Sequence, residues 1–334
     1  MTVAIVALDA ADYALAREWD CENILLDRHR ELETFAYSGP NPNTLEVWTS
    51  VATGVGPEEH GLASTGEQQQ WGNPALEYAS KVAPYVLPKE TRIKIGTWLR
   101  GDSGAGATDG TGGADDTDGA SDTGGLRSGI GGSAAGMTLR QTDHPHLFEA
   151  ADRVVRWWPG VTPGEHLSQT WHWLNLASSG EITDAELWRR LYGNAGLEVG
   201  WLQGMGHANV PLAGVHMHVL DAAGHAFATH PDRLREVYER VDRLLGTLRE
   251  HVDDLLVLSD HGMQVEWIDG DDEPGFHSFR AIGSTTIDDR PPESVFDVPE
   301  WIEVRVEDQR GTKDDRPAVM DTTEEQLRDL GYLE

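Results

Sequence analysis

The sequence predicts an α/β protein with a doubly wound, mostly parallel sheet flanked by helices and a small cap insertion. Three short apolar runs, Val3 to Leu8, Ala213 to Leu220 and Leu255 to Leu258, have the length of buried strands. Between the last two lies a segment from Pro231 to about His251 with Leu234, Val237, Val241, Leu244, Leu245 and Leu248 on one helical face, the pattern of a β-α-β crossover. Each run is followed by acidic or imidazole residues: Asp9, then Asp221 and His225, then Asp260 and His261. Open α/β sheets collect ligands at the carboxyl ends of their strands, and these residue types suit a dinuclear metal site. A fourth segment, Asn43 to Ser50, offers hydroxyls that such metals activate as nucleophiles.

The elements follow in chain order. After the first strand, Gly54 to Gly61 carries the glycines and proline of a turn. From Gly101 to Gly125 the chain contains only Gly, Ala, Ser, Thr and Asp, which bury too little apolar area to offset their ordering entropy. Residues 101–136 are therefore expected to be a disordered loop, with 1–100 and 137–334 forming a single domain. Pro145 to Glu149 is expected to be a short helix, and Arg153 to Trp158 a strand closed by Pro159-Gly160. Leu187, Leu191, Leu197 and Trp201 mark a helix from Asp184 to about Leu202, weakened by Gly193, Gly196 and Gly200. Residues 160–210 would supply the cap. The strands ending at Leu220 and Leu258 are expected to be parallel neighbours, which brings Asp221 and Asp260 together. Thr322 to Glu325 reads as a capping box for a last helix over 327–333.

Bulk composition excludes several classes. With 57 acidic against 26 basic residues the net charge is −31, which repels nucleic acid and anionic membranes. Lys81, Lys89, Lys94 and Lys313 are the only lysines, and an acidic, lysine-poor surface resembles proteins of salt-loving organisms, where salt screens self-repulsion. A lone Cys21 rules out an internal disulfide and a cysteine-rich metal site. No basic-then-apolar leader and no apolar run of about 18 residues is present, so a soluble cytoplasmic protein is expected.

Five motifs in order carry a family resemblance: Asp9 after the first strand, Thr44 ahead of Trp48-Thr49-Ser50, Asp221 with His225, Asp260-His261-Gly262-Met263, and His277. Together they resemble the alkaline phosphatase superfamily, in its nucleotide pyrophosphatase/phosphodiesterase branch and with the composition of a halophilic archaeal member. The resemblance implies two divalent ions, usually zinc, with manganese or iron also admitted by the ligand types. Asp9, Thr44, Asp260 and His261 would hold one ion; Asp221, His225 and His277 would hold the other. It further implies a small-molecule phosphoester substrate, with Thr44 as nucleophile in phosphodiester or pyrophosphate hydrolysis. Phosphomonoester or phosphonate hydrolysis, or metal binding without turnover, are the alternatives. The chain departs from the pattern in Leu45-Glu46, where proline is common, and after His60-Gly61, where an asparagine that holds a phosphoryl oxygen is absent. His216 and His218, two apart on one strand face, are either packed core residues or partners of the metal ligands.

Overall fold

The computed structural model describes residues 2–63, 140–163 and 165–310, all within one structural unit. The expected loop at 101–136 and the expected helix over 327–333 with its capping box lie outside them.

Strand β1 (Val3–Leu8) is the centre of the molecule: every residue in it is fully buried. Ala4, Val6 and Leu8 face one helical layer, whereas Val3, Ile5 and Ala7 face the other. Burial on both faces explains an uninterrupted apolar run where a half-exposed strand would alternate. Around it run β2 (Arg28–Leu32), β3 (Arg153–Arg156), β4 (Leu212–Met217), β5 (Asp254–Leu258) and β8 (Ala281–Thr285), in the sheet order β2-β8-β5-β1-β4-β3. Pairings β1·β4, β1·β5 and β3·β4 are parallel, while β8 pairs antiparallel with both β5 and β2. Two short strands, β6 (Gly262–Met263) and β7 (His277–Ser278), form a separate hairpin.

The first helical layer contains α1 (Tyr13–Glu18), α5 (Asp184–His207), α6 (Val219–Phe227) and α7 (Pro231–Gly246). In α7, Leu234, Val237, Tyr238, Val241 and Leu245 are buried. Each such side chain, fully buried, contributes about 1.5–3 kcal/mol, so the stripe anchors the crossover to the sheet. The second layer contains α2 (Thr44–Thr53) and α8 (Val298–Arg310). Helix α3 (Pro57–His60) is one turn beyond α2, and α4 (Glu165–Ser178) precedes α5.

Several expectations change. β4 and β5 are both parallel to β1 but are not neighbours, because β1 lies between them. Two helices rather than one join them, a span long enough to step over a strand. β4 stops at Met217, and Val219-Leu220 open α6 instead of closing the strand. A short apolar run satisfies either period, so local pattern alone could not separate them. Pro145 to Glu149 forms turns and no helix. Leu197, expected in the apolar face of α5, is 64% exposed, while Leu187, Leu191, Ala195, Val199 and Leu202 carry that face into the core. The turn at Gly54 to Gly61 contains the one-turn helix α3.

Candidate metal centre

The carboxyl ends of β1, β4 and β5 meet one edge of the β6–β7 hairpin. Asp9 follows β1 directly and Asp260 and His261 follow β5. Asp221 and His225, four apart on α6, share one helical face. His277 opens β7, where it pairs with Met263. Thr44 is the first residue of α2, whose start is fixed by Asn43: its side-chain oxygen accepts from Leu45 N at 3.1 Å.

The donor atoms converge. Among the described residues, one donor atom each from Asp9, Asp260 and His261 lie within 4.8 Å of one another, as do those of Asp221, His261 and His277. His261 belongs to both groups. His225 Nε2 stands 3.3 Å from Asp221 Oδ1 and 3.4 Å from His277 Nε2. Thr44 Oγ1 lies 3.5 Å from Asp9 Oδ1 and 3.4 Å from His261 Nε2. All seven residues singled out in the sequence therefore share one cluster.

Imidazole orientation gives this cluster its chemistry. His225 Nδ1 donates to Gly275 O at 2.9 Å, His261 Nδ1 to Gly262 O at 3.0 Å, and His277 Nδ1 to Pro42 O at 2.8 Å. A carbonyl only accepts, so each Nδ1 carries the proton and each Nε2 presents a lone pair to the centre. His225 and His277 thus aim two lone pairs at each other. His218 Nε2 is 2.8 Å from Asp221 Oδ2, and both Asp221 oxygens and Asp260 Oδ2 are buried without a satisfying hydrogen bond. Unsatisfied carboxylate oxygens beside converging imidazole lone pairs form a set that one or two divalent cations complete.

The electrostatics agree with that reading. Burial, then the Asp221 charge, pushes the Asp9 carboxyl well above its ordinary value. Burial and Asp9 do the same to Asp260. Burial, then His277, pushes His261 well below the usual imidazole range. Burial would raise Asp221, yet the neighbouring His225 and His218 hold it well below the ordinary carboxylate value. For His225, burial acts downward and the Asp221 charge outweighs it, leaving the imidazole raised.

A buried ion-pair network ties the hairpin to the sheet. Asp12 caps α1 through Ala14 N, and its other oxygen accepts from Met263 N at 3.1 Å and Ser278 Oγ at 3.0 Å. Arg280 bridges Asp12 and Asp271. Gly262 is required here, because a Cβ at that position would stand 2.3 Å from Asp12 Oδ2. Glu46, a departure from the family pattern, is fully buried, and its carboxylate accepts from Ser38 N at 3.3 Å.

Residues beyond those seven also belong to the site. His216 Nε2 lies 3.0 Å from Asp9 Oδ2, and His216 Nδ1 lies 2.9 Å from His166 Nε2. The expected strand pair His216 and His218 was the available sequence signal for partners of the ligands, although the strand ends at Met217 and His218 stands at the start of α6. His166, fifty positions away on α4, gave none. Trp171 packs its ring 5.4 Å from His225 while 40% exposed, so it lies on the rim, whereas Trp173 packs against the core.

Residues 140–274 match the family model described as type I phosphodiesterase / nucleotide pyrophosphatase. Solved structures add two likenesses. The chain is similar to a protein from Pyrococcus horikoshii, with 16% identity and a TM-score of 0.25, over 37% of this chain and about a third, 35%, of that one. It is also similar to the alkaline phosphatase of the Antarctic bacterium TAB5, with 8% identity, a TM-score of 0.43, and 92% and 97% of the two chains covered. No curated protein matches the sequence significantly. No described helix is long and apolar enough to cross a membrane.

Proposed function

We propose that the protein hydrolyses phosphodiesters or pyrophosphates, with Thr44 as nucleophile and two divalent cations, most simply zinc, held by Asp9, Thr44, Asp260 and His261 and by Asp221, His225 and His277. The observation that supports this best is the orientation of three histidines, each with Nδ1 on a backbone carbonyl and Nε2 turned to buried carboxylates. When bound, such ions supply Lewis acidity, drawing charge from phosphoryl oxygens and lowering the pKa of a coordinated hydroxyl.

The chain's own residues do the rest. Thr44 sits at the positive end of α2, which favours an anionic substrate and a developing negative charge on Oγ1. Its Oγ1 donates to Asp9 Oδ1, so the oxygen's lone pairs are free for in-line attack at phosphorus. Attack forms the Oγ1–P bond and breaks the P–O bond to the leaving alcohol or phosphate, which takes up the proton that Thr44 gives up; water then adds its hydroxyl to phosphorus, breaks the Oγ1–P bond and returns a proton to Thr44. Asp9 Oδ2 is held by His216, which keeps Oδ1 aimed at the threonine.

The test is hydrolysis of a chromogenic bis-aryl phosphate by zinc- or manganese-loaded protein, wild type against Thr44→Ala. Concentrated salt is the appropriate medium for a chain of net charge −31 with four lysines, the surface expected of a halophilic protein. Turnover lost in Thr44→Ala with two metals retained per chain supports the reading. Two metals with both proteins inactive would favour a binding role, and less than one metal per chain defeats the site.

A further inference from the structure

The carboxyl end of β3 opens onto a cleft of about 140 Å³ that contains none of the seven donors and touches their hydrogen-bond chain only at His166. Its walls are Arg156, Trp157, His166, Gln169, Asn194 and Glu198. Ligand pockets for drug-sized molecules run to about 300–1,000 Å³, so this cleft takes a small ion.

Two charged groups here, Arg156 and Glu198, face each other without closing into an ion pair among the described residues. Glu198 is 5% exposed. Arg156 makes no ion pair, and its Nε is buried without a hydrogen bond, although acidic residues outnumber basic ones 57 to 26. A guanidinium met by an aromatic face and by a buried carboxyl, with no ion pair and an unbonded Nε, keeps N–H donors for an oxyanion in the cleft. Trp157 forms the wall: Arg156 lies 4.9 Å over its ring, and the ring stacks on His166. Trp157 has φ +64°, a left-handed conformation that costs a bulky residue energy and that clusters at binding sites.

We propose that this cleft is a binding site for a small oxyanion, phosphate or carboxylate, held by the Arg156 guanidinium and by a protonated Glu198 that donates to it. Burial pushes the Glu198 carboxyl up to about 8 despite Arg156, so at neutral pH it is an O–H donor and not a competing charge. The groups facing it are Arg156 from β3 and His166 from α4; burial lowers His166 to about 3, leaving it neutral. Gln169 and Asn194 are neutral amides. The site stands independently of the phosphoester reading.

Inorganic phosphate titrated calorimetrically into the metal-loaded full chain tests it, with circular dichroism reporting the fold. Wild type is expected to take up two phosphates. Asp221→Asn should remove the one at the metal centre, and Arg156→Gln should weaken the other about tenfold or more. Measured in Asp221→Asn, affinity for the remaining phosphate should fall above pH 8 more steeply than when Glu198→Gln is added. Competing acetate assigns the carboxylate member of the class, and failure to compete the phosphate member. A single phosphate lost in Asp221→Asn, an unweakened Arg156→Gln, or identical pH profiles with and without Glu198→Gln overturns the proposal. Two phosphates retained in Asp221→Asn would instead count against the metal centre.

Discussion

His216→Phe should weaken metal binding at the centre, and His166→Phe should do so less. Burial, then His166, pushes His216 well below the usual imidazole range, so the ring is neutral and has one N–H. Asp9 needs that proton on Nε2, 3.0 Å from Oδ2, and His216 Nδ1 then accepts from His166 Nε2 at 2.9 Å. Phenylalanine at 216 fills the volume beside Trp48, whose ring meets His216 edge-on at 5.5 Å, but removes a hydrogen bond to a charged group. Such a bond contributes about 1.5–3 kcal/mol, or about 10–150-fold in affinity. His166→Phe removes only a bond between neutral rings, about 0.5–1.5 kcal/mol, or about 2–13-fold. Competition for zinc against a chromogenic chelator measures both. Unchanged affinity in His216→Phe, or a larger loss in His166→Phe with both variants folded, would refute the proposed chain of hydrogen bonds.

Other expectations follow from the same geometry. Thr44→Ser should retain part of the turnover and Thr44→Ala essentially none, with equal metal content by elemental analysis. Zinc at about 100 times its dissociation constant should stabilise the fold by about 2.7 kcal/mol, read as a rise in melting temperature that chelator reverses; no rise argues against a resident ion. Protons compete with metal at His225, whose pKa the Asp221 charge raises against burial, so apparent zinc affinity should fall as pH drops, beginning above the ordinary imidazole range. Glu198→Gln should stabilise the protein. The folded carboxyl titrates near 8 and the unfolded one near 4.5, so the wild type's disadvantage is absent below 4.5, grows as pH rises and levels off above 8. At pH 7 it is about 3 kcal/mol, and urea unfolding of the two proteins at several pH values should show the gap opening in that window.

By itself the sequence determined which donors exist, in what order, and that three apolar runs place most of them at strand ends. That much is local: Val3 to Leu8 has no polar residue to expose, and the α7 stripe repeats at the helical period. Tertiary structure decided what local pattern cannot carry. It turned Val219-Leu220 into a helix, which puts Asp221 and His225 on one face. It placed β1 between β4 and β5. It also gave His216, the partner of Asp9, a further partner fifty positions away, because His166 reaches His216 only in the folded chain. Hydrogen-bond partners are chosen by proximity in space, and a residue period reports only which face is buried. For the same reason Arg156 facing a buried Glu198 across one cleft could be recognised only in the folded chain.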